Sequence, residues 1–469
     1  MPNDFLERDR FTATEESKLL HDLQCNILAP HRRVHSAHLL IGLPSDGAQA
    51  RRYVGEWSDR VTRASEVAED QAKRTRTLKR WGWWNVAWTG RWRIRVGKAV
   101  GWDRLAESEP RPALKRGLVR SFMVSHGALR ADRLGRSEEI PLVETEFRAL
   151  TGAGETEPMS WSAGAWERPF RGNQIEAQIL LASDDLDELK EAVAAEQTRL
   201  ETGDMDGRVL QTLWGYVARD RERRPVEHFG FVDGVSNPEV LESEYRWATR
   251  RHGVYRPRFP LKSFLFELNG SPGRYASFQV LQKIEQHVGR FRQLSQLEQE
   301  AMVGRKADGT PLEAMGPGGI NDFVYDFEAS KPRCPFHAHI RKSNPRLTKL
   351  RSEMAVLFPR RGMLYGEREA DVTTGEFRDE PDSGVGLLFM GYMGGIHRQF
   401  GRMVKTWMAN SRFGGGVHTQ NVGEDLIGPA REPDPAKDYT TVLGGAYFMV
   451  PPLAWLEEFK PTAAAGSDQ

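Results

Sequence analysis

Residues 176–200 read E-A-Q-I-L-L-A-S-D-D-L-D-E-L-K-E-A-V-A-A-E-Q-T-R-L, and the hydrophobic period changes within them. Ile179, Leu180, Leu181 and Ala182 run on without alternation, as in a strand buried on both faces. Asp184 and Asp185 then offer carboxylates that cap a helix start. Leu186, Leu189, Ala192, Val193 and Leu200 recur at helical spacing, which predicts a helix over 186–200. Working outward, strands are predicted at 36–43 and 121–125 before this stretch and at 212–217 after it.

The order of strand, helix, strand, strand, helix, strand fits a ferredoxin-like sheet. The second half of the chain repeats that grammar. Strands are predicted at 263–267, 277–280 and 386–392, and a helix at 282–297. A second helix is predicted at 396–408, with Ile396, Phe400, Val404 and Trp407 on its apolar faces. A last strand at 446–450 is stopped by Pro451 and Pro452. The expected fold class is α+β, with two tandem ferredoxin-like domains built on antiparallel sheets. They would span 1–225 and 226–460, with a crevice between sheets where a ligand sits. The tail 461–469 is expected to be disordered.

Composition excludes several classes. Of 469 residues, 39% are apolar and 28% charged, as in a soluble globular protein. Lys+Arg 66 against Asp+Glu 65 leaves a net charge of +1, so no bulk field draws nucleic acid or membrane, and neither is expected as a partner. Two cysteines cannot form a disulfide framework, which suits a reducing compartment. Residues 1–23 are polar and do not read as a secretory signal. Arg32 and Arg33 before an apolar run mimic a twin-arginine signal, but His35, His38 and Asp46 interrupt it. A cytoplasmic location is therefore expected. Residues 59–110 form an odd insertion, in which Trp81, Trp83, Trp84, Trp88, Trp92 and Trp102 interleave with arginines and lysines. It reads as an accessory patch packed on its host domain, with an anion-binding surface as the alternative.

Two stretches carry candidate chemistry. Residues 333–346 read R-C-P-F-H-A-H-I-R-K-S-N-P-R. Cys334, His337 and His339 are possible zinc ligands, although a closed zinc site wants a fourth ligand. One histidine is alternatively an axial haem ligand with arginines facing the propionates. The third reading is a structural loop. The spacing is read as sending the two histidines to opposite sides of the segment, so only one would meet a metal. Residues 228–238 read H-F-G-F-V-D-G-V-S-N-P. Gly230 and Gly234 bracket Asp233, and Phe229, Phe231 and Val235 predict a desolvated carboxylate suited to general acid/base work. An Asx-turn that merely holds a loop is the alternative.

The G-F-V-D-G at Gly230 to Gly234 resembles the G-x-x-D-G signature of dye-decolourising peroxidases, and C-P-F-H-A-H-I-R-K-S-N-P-R resembles their haem-ligand segment. The resemblance continues in R-R-G-M-L-Y-G at 360–366, G-L-L-F-M-G-Y at 386–392, V-G-E-D-L-I-G at 422–428 and G-G-A-Y-F-M-V at 444–450. It implies one haem b per chain, in the crevice of the C-terminal half. It places the proximal ligand at His339, the distal acid/base at Asp233 and the distal arginine at Arg360. Leu387 and Phe389 would line the distal pocket, Asp425 would accept from the His339 N–H, and Arg341 would lie near the propionates. The implied activity reduces H2O2 and oxidises organic donors, such as dyes and phenolics, one electron at a time through a ferryl intermediate. Donors too large for the pocket would be oxidised at the surface, with Tyr392 or the tryptophan-rich insertion relaying electrons. A haem-binding or haem-handling protein with little turnover is the alternative. Asn237 and Leu364 depart from the family pattern and carry no expected chemical role.

Overall fold

The structure is a computed structural model. It describes residues 6, 12–70, 117–144, 147, 166–172, 174–202, 205–238, 241, 259–316, 319–325, 333–346, 355–371, 376–408 and 439–461. Most of the tryptophan-rich insertion, Asp425 and the last eight positions, 462–469, lie outside the described residues.

The first half holds β1 (His35–Gly42), β2 (Val119–Val124), β3 (Ala177–Ser183) and β4 (Arg208–Tyr216) in the spatial order β4-β1-β3-β2. The second holds β5 (Tyr275–Gln286), β6 (Met363–Tyr365), β7 (Gly386–Met393) and β8 (Thr440–Val450) in the order β6-β7-β5-β8. In each half the first strand lies between the third and the fourth, the ferredoxin-like arrangement. All pairings are antiparallel.

The two sheets do not simply face each other across a crevice. Tyr216 of β4 pairs with Leu364 of β6, and Met449 of β8 pairs with Val124 of β2. These two narrow seams close the eight strands into one ring. β3 is buried at all seven positions because it is an inner strand, paired with β1 on one edge and β2 on the other. The helix after it, Leu186–Glu201, begins where Asp185 accepts from the backbone N–H groups of Asp187 and Glu188. Leu189, Val193 and Leu200 are buried as expected, whereas Leu186, in the first turn, is exposed. Glu196 shares the buried face because Tyr53 donates to it at 2.7 Å and Arg60 and Arg199 pair with it.

Two expected elements differ. The helix expected at 282–297 is strand as far as Gln286, since β7 and β8 run alongside it and pair Gly386 with Glu285 and Thr440 with Gln286. Ladder bonds on both edges outweigh the local helical spacing. Helix follows only at Val288–Arg292 and Gln296–Val303. The strand expected at 263–267 shrinks to Phe266–Glu267, beside Tyr275 and Ala276. The segment His397–Met408 is helical with wide, π-type turns and buries Phe400, Val404 and Trp407. Among the described residues, no helix is long and apolar enough to cross a membrane.

Candidate active site

Asp233 stands on a turn that the preceding residues build. Glu227 is a half-buried residue whose carboxylate Oε1 accepts from the Phe231 N–H at 2.9 Å. Its Oε2 accepts from the Phe229 N–H at 2.9 Å and from Gln286 Nε2 at 2.7 Å. Gly230 and Gly234 adopt φ of 92° and 74°, in the left-handed region that a side chain would strain. Phe229 and Phe231 turn away from Asp233 and pack on Phe291, at centroid distances of 4.1 and 6.1 Å. The expected desolvation therefore falls elsewhere. Asp233 is exposed, its Oδ1 accepting from the Gly234 N–H at 2.6 Å. Glu227 is the carboxyl that burial raises, against its hydrogen bonds and with the charge of Asp233 adding to the rise. His228, fully buried, has its Nε2 2.9 Å from the Tyr365 carbonyl, and burial pushes its pKa down to about 4.

Arg360 enters from the strand side. It faces Gly391 across a single bridge on β7, and its backbone N–H donates to Asn237 Oδ1 at 2.9 Å. Burial lowers the basicity of its guanidinium and the charge of Asp233 raises it, so the two side chains share one electrostatic environment. On β7, Leu388 and Met390 are 0% exposed on one face. Leu387 and Phe389, on the other face, remain only half-buried in the middle of a paired strand. Phe389 lies among Phe358 and Phe400, at 6.4 and 6.2 Å between centroids. Tyr392, on the Leu388 face, is fully buried, and its Oη accepts from Asn26 Nδ2 at 3.1 Å and Gln279 Nε2 at 3.3 Å. It cannot be a surface contact for a donor.

The histidine segment is a turn followed by a short helix, His339–Ser343. An extended segment would have put residues two apart on the same face. Here the turn at His337 and the helix start at His339 separate them. Burial first, then Lys342, push the His337 pKa down to about 4. Gly304 makes the packing possible. At φ 90° it ends the helix Gln296–Val303, and a Cβ there would lie 2.5 Å from Ile340 Cγ1 and 3.1 Å from Cys334 Sγ. Burial pushes the Cys334 thiol up to about 12. Among the described residues, no three His, Cys, Asp or Glu side chains gather as a metal site.

The buried arginines fall into two sets. Arg341 is fully buried, donating to the Cys334 carbonyl at 2.7 Å, 4.0 Å from Glu313 and over the Phe336 ring. Arg305 and Arg346, both buried, instead converge on Ser236, three residues after Asp233. Arg305 donates to Ser236 Oγ at 3.0 Å, and Arg346 donates to Ser236 Oγ at 3.1 Å and Asn321 Oδ1 at 2.7 Å. Burial, then Arg346, and more weakly Arg360, push the Arg305 pKa down to about 10. Among the described residues, no carboxylate forms an ion pair with Arg305. Ser236, Asn321, Arg305 and Arg346 thus join the end of the histidine segment to the Asp233 loop. None was singled out in the sequence as a site residue, although Arg346 closes the basic tail of the histidine stretch. Asp425 lies outside the described residues.

The family model "Dyp-type peroxidase, C-terminal" matches residues 224–413, which contain Asp233, His339, Arg360, Leu387 and Phe389. The "Multifunctional dye peroxidase DyP2" of Amycolatopsis sp. is 33% identical over 279 residues, 49% of this chain and 60% of that protein's length. "Peroxidase 2" of Mycetinis scorodonius is 26% identical over 352 residues, 62% of this chain and 67% of that one. Among solved structures, the DyP-type peroxidase of Anabaena sp. superposes with a TM-score of 0.73 at 24% identity, covering 98% of this chain and 99% of its own. DyP2 from Amycolatopsis sp. gives 0.72 at 24% identity, over 95% and 97%. At that identity the likeness speaks for the fold, and the fold agrees with the sequence match: the chain has the fold of DyP-type peroxidases, and its residues 224–413 match the C-terminal part of that family.

Proposed function

We propose that the protein is a haem b peroxidase that reduces H2O2 and oxidises organic donors by one-electron steps. The observation that carries this reading is that the charge of Asp233 acts on Arg360, which bridges to the strand bearing the half-buried Leu387 and Phe389, while the Asp233 loop is tied to the histidine segment through Ser236 and Arg346. The donor set also fits haem. Arg305, Arg346 and Arg360 gather positive charge without a carboxylate paired to Arg305, and an anionic group such as a propionate would relieve their mutual repulsion. Arg341 is held by its own segment, so Arg305 and Arg346 are the better candidates for that contact.

Haem, when bound, supplies the redox-active iron; the rest falls to this chain. His339 would hold the iron, and Asp425 would accept its N–H and raise its basicity. Asp233, exposed and ionisable, would take the proton from the first oxygen of peroxide and return it to the second as water leaves. Arg360 carries a charge at every working pH and would stabilise the negative charge that develops as the O–O bond breaks. Leu387 and Phe389 would keep bulk water from that oxygen. A cytoplasmic location is supported by two cysteines that are both buried and free.

The test is an absorption spectrum of the purified protein before and after rapid mixing with H2O2. A histidine-ligated haem spectrum that changes within milliseconds and returns on adding a phenolic donor is expected. Bound haem that barely responds to peroxide would point instead to a haem-handling protein.

A further inference from the structure

We infer that Asn237 is a positioning residue for the catalytic pair: its amide ties the loop that carries Asp233 to the backbone of Arg360. The inference rests on the peroxidase reading above. Asn237 Oδ1 accepts from the Arg360 N–H at 2.9 Å. That N–H lies beside a narrow bridge whose ladder bonds belong to its neighbours: Arg361 N–H to the Met390 carbonyl at 2.8 Å, and Tyr392 N–H to the Pro359 carbonyl at 3.1 Å. The Arg360 N–H is therefore satisfied from the loop.

The other end of Asn237 reaches back to the turn. Its Nδ2 lies 3.9 Å from where a Cβ would stand on Gly234, the residue after Asp233. Pro238 follows and confines the Asn237 backbone to extended conformations, so the side chain starts from a restricted position. The loop is held independently at Ser236 by Asn321, Arg305 and Arg346. Asn237 is thus not needed to keep the loop folded. What it adds is the spacing between Asp233 and Arg360, which come from distant parts of the chain and must meet the same peroxide.

Spacing of this kind controls rate, because a misplacement of about 1 Å can slow a positioned reaction on the order of 10²-fold. Asn237→Ala should slow the reaction with H2O2 by roughly 10- to 100-fold without changing KM for the organic donor. Asn237→Asp keeps an oxygen at the same reach and should recover most of that rate. In an Arg360→Leu background, Asn237→Ala should add little further loss, since the residue acts through Arg360.

A readout independent of haem chemistry is hydrogen exchange at the Arg360 amide. Asn237→Ala and the shorter Asn237→Ser should each lose protection there, and Asn237→Asp should retain it. Unchanged protection in both shortened variants would overturn the tie. A loss of peroxide rate equally large with Arg360 present or absent would overturn the positioning role. Should the wild type not react with peroxide at all, the peroxidase reading falls, and the exchange data alone decide whether the tie exists.

Discussion

His337 and His339 differ by two positions and by surroundings. His337 sits in a turn, neutral by burial and by the nearby Lys342 charge, whereas His339 opens a helix in the segment tied to the Asp233 loop. His339→Ala should lose the histidine-ligated haem spectrum, and His337→Ala should keep it; absorption spectra of the two purified variants decide, and a reversed result would move the ligand to His337. Asp233 and Arg360 should also contribute unequally. Asp233 is exposed, so water can stand in for part of its proton transfer. Arg360 is half-buried and brings a fixed charge that water cannot replace. Losing such a donor costs on the order of 10²–10³ in rate. Arg360→Leu should therefore slow the haem absorbance change after mixing with H2O2 by more than Asp233→Asn does. A slower Asp233 variant would reverse the ranking.

Gly304 shows how one element seats another. Its left-handed turn ends Gln296–Val303 and leaves room for Cys334, Ala338 and Ile340 of the histidine segment. Gly304→Ala should combine overpacking with backbone strain, for a loss of about 2–4 kcal/mol in unfolding free energy. It should also weaken haem retention, because the contacts it crowds belong to the segment bearing His339. Urea unfolding and haem loss to an acceptor protein measure the two effects; wild-type values in both would show that the segment is not seated there. The sequence exposes such elements unevenly. β3 and the following helix were legible because an unbroken apolar run and a capped helical stripe each fit one geometry. The stretch 282–297 was misread because its later part is helical, while its beginning becomes strand only through partners more than a hundred residues away. Asp233, Arg360 and His339 stood out through their motifs. Asn237 and Glu227 did not, because their work is to accept backbone N–H groups that only the folded chain brings to them. Arg341 sits two positions after His339 in the same short helix, where residues two apart point to nearly opposite sides, a relation that the sequence alone does not display.

At the scale of the whole molecule, the ring predicts that the two halves unfold together. Each half closes the other at Tyr216–Leu364 and Met449–Val124, so calorimetry should show one unfolding transition and not two. The ring and its surroundings also bury imidazoles, and this predicts how stability responds to acid. His38, inside β1, is within hydrogen-bond distance of Ser36 Oγ and Gln178 Nε2, and burial pushes its pKa down to about 3. His228 is pushed down to about 4 by the same cause. Both titrate near 6.5 once unfolded, so between about 4 and 6.5 the unfolded chain binds more protons than the native one. Stability rises with pH across that window. The two contributions are fully present above about pH 6.5 and fade as pH falls, by on the order of 3 kcal/mol each at pH 4. Glu227, raised by burial, works the other way, but it is one carboxyl against two imidazoles. Glu196 reinforces the imidazoles, because Arg60 and Arg199 outweigh its burial and hold its pKa low. The urea midpoint should therefore fall steadily from pH 7 to pH 4.5, and His38→Gln should flatten part of that slope. An unchanged midpoint across the window would mean that the native protein takes up as many protons as the unfolded chain, and the neutral buried ring of β1 would have to be abandoned.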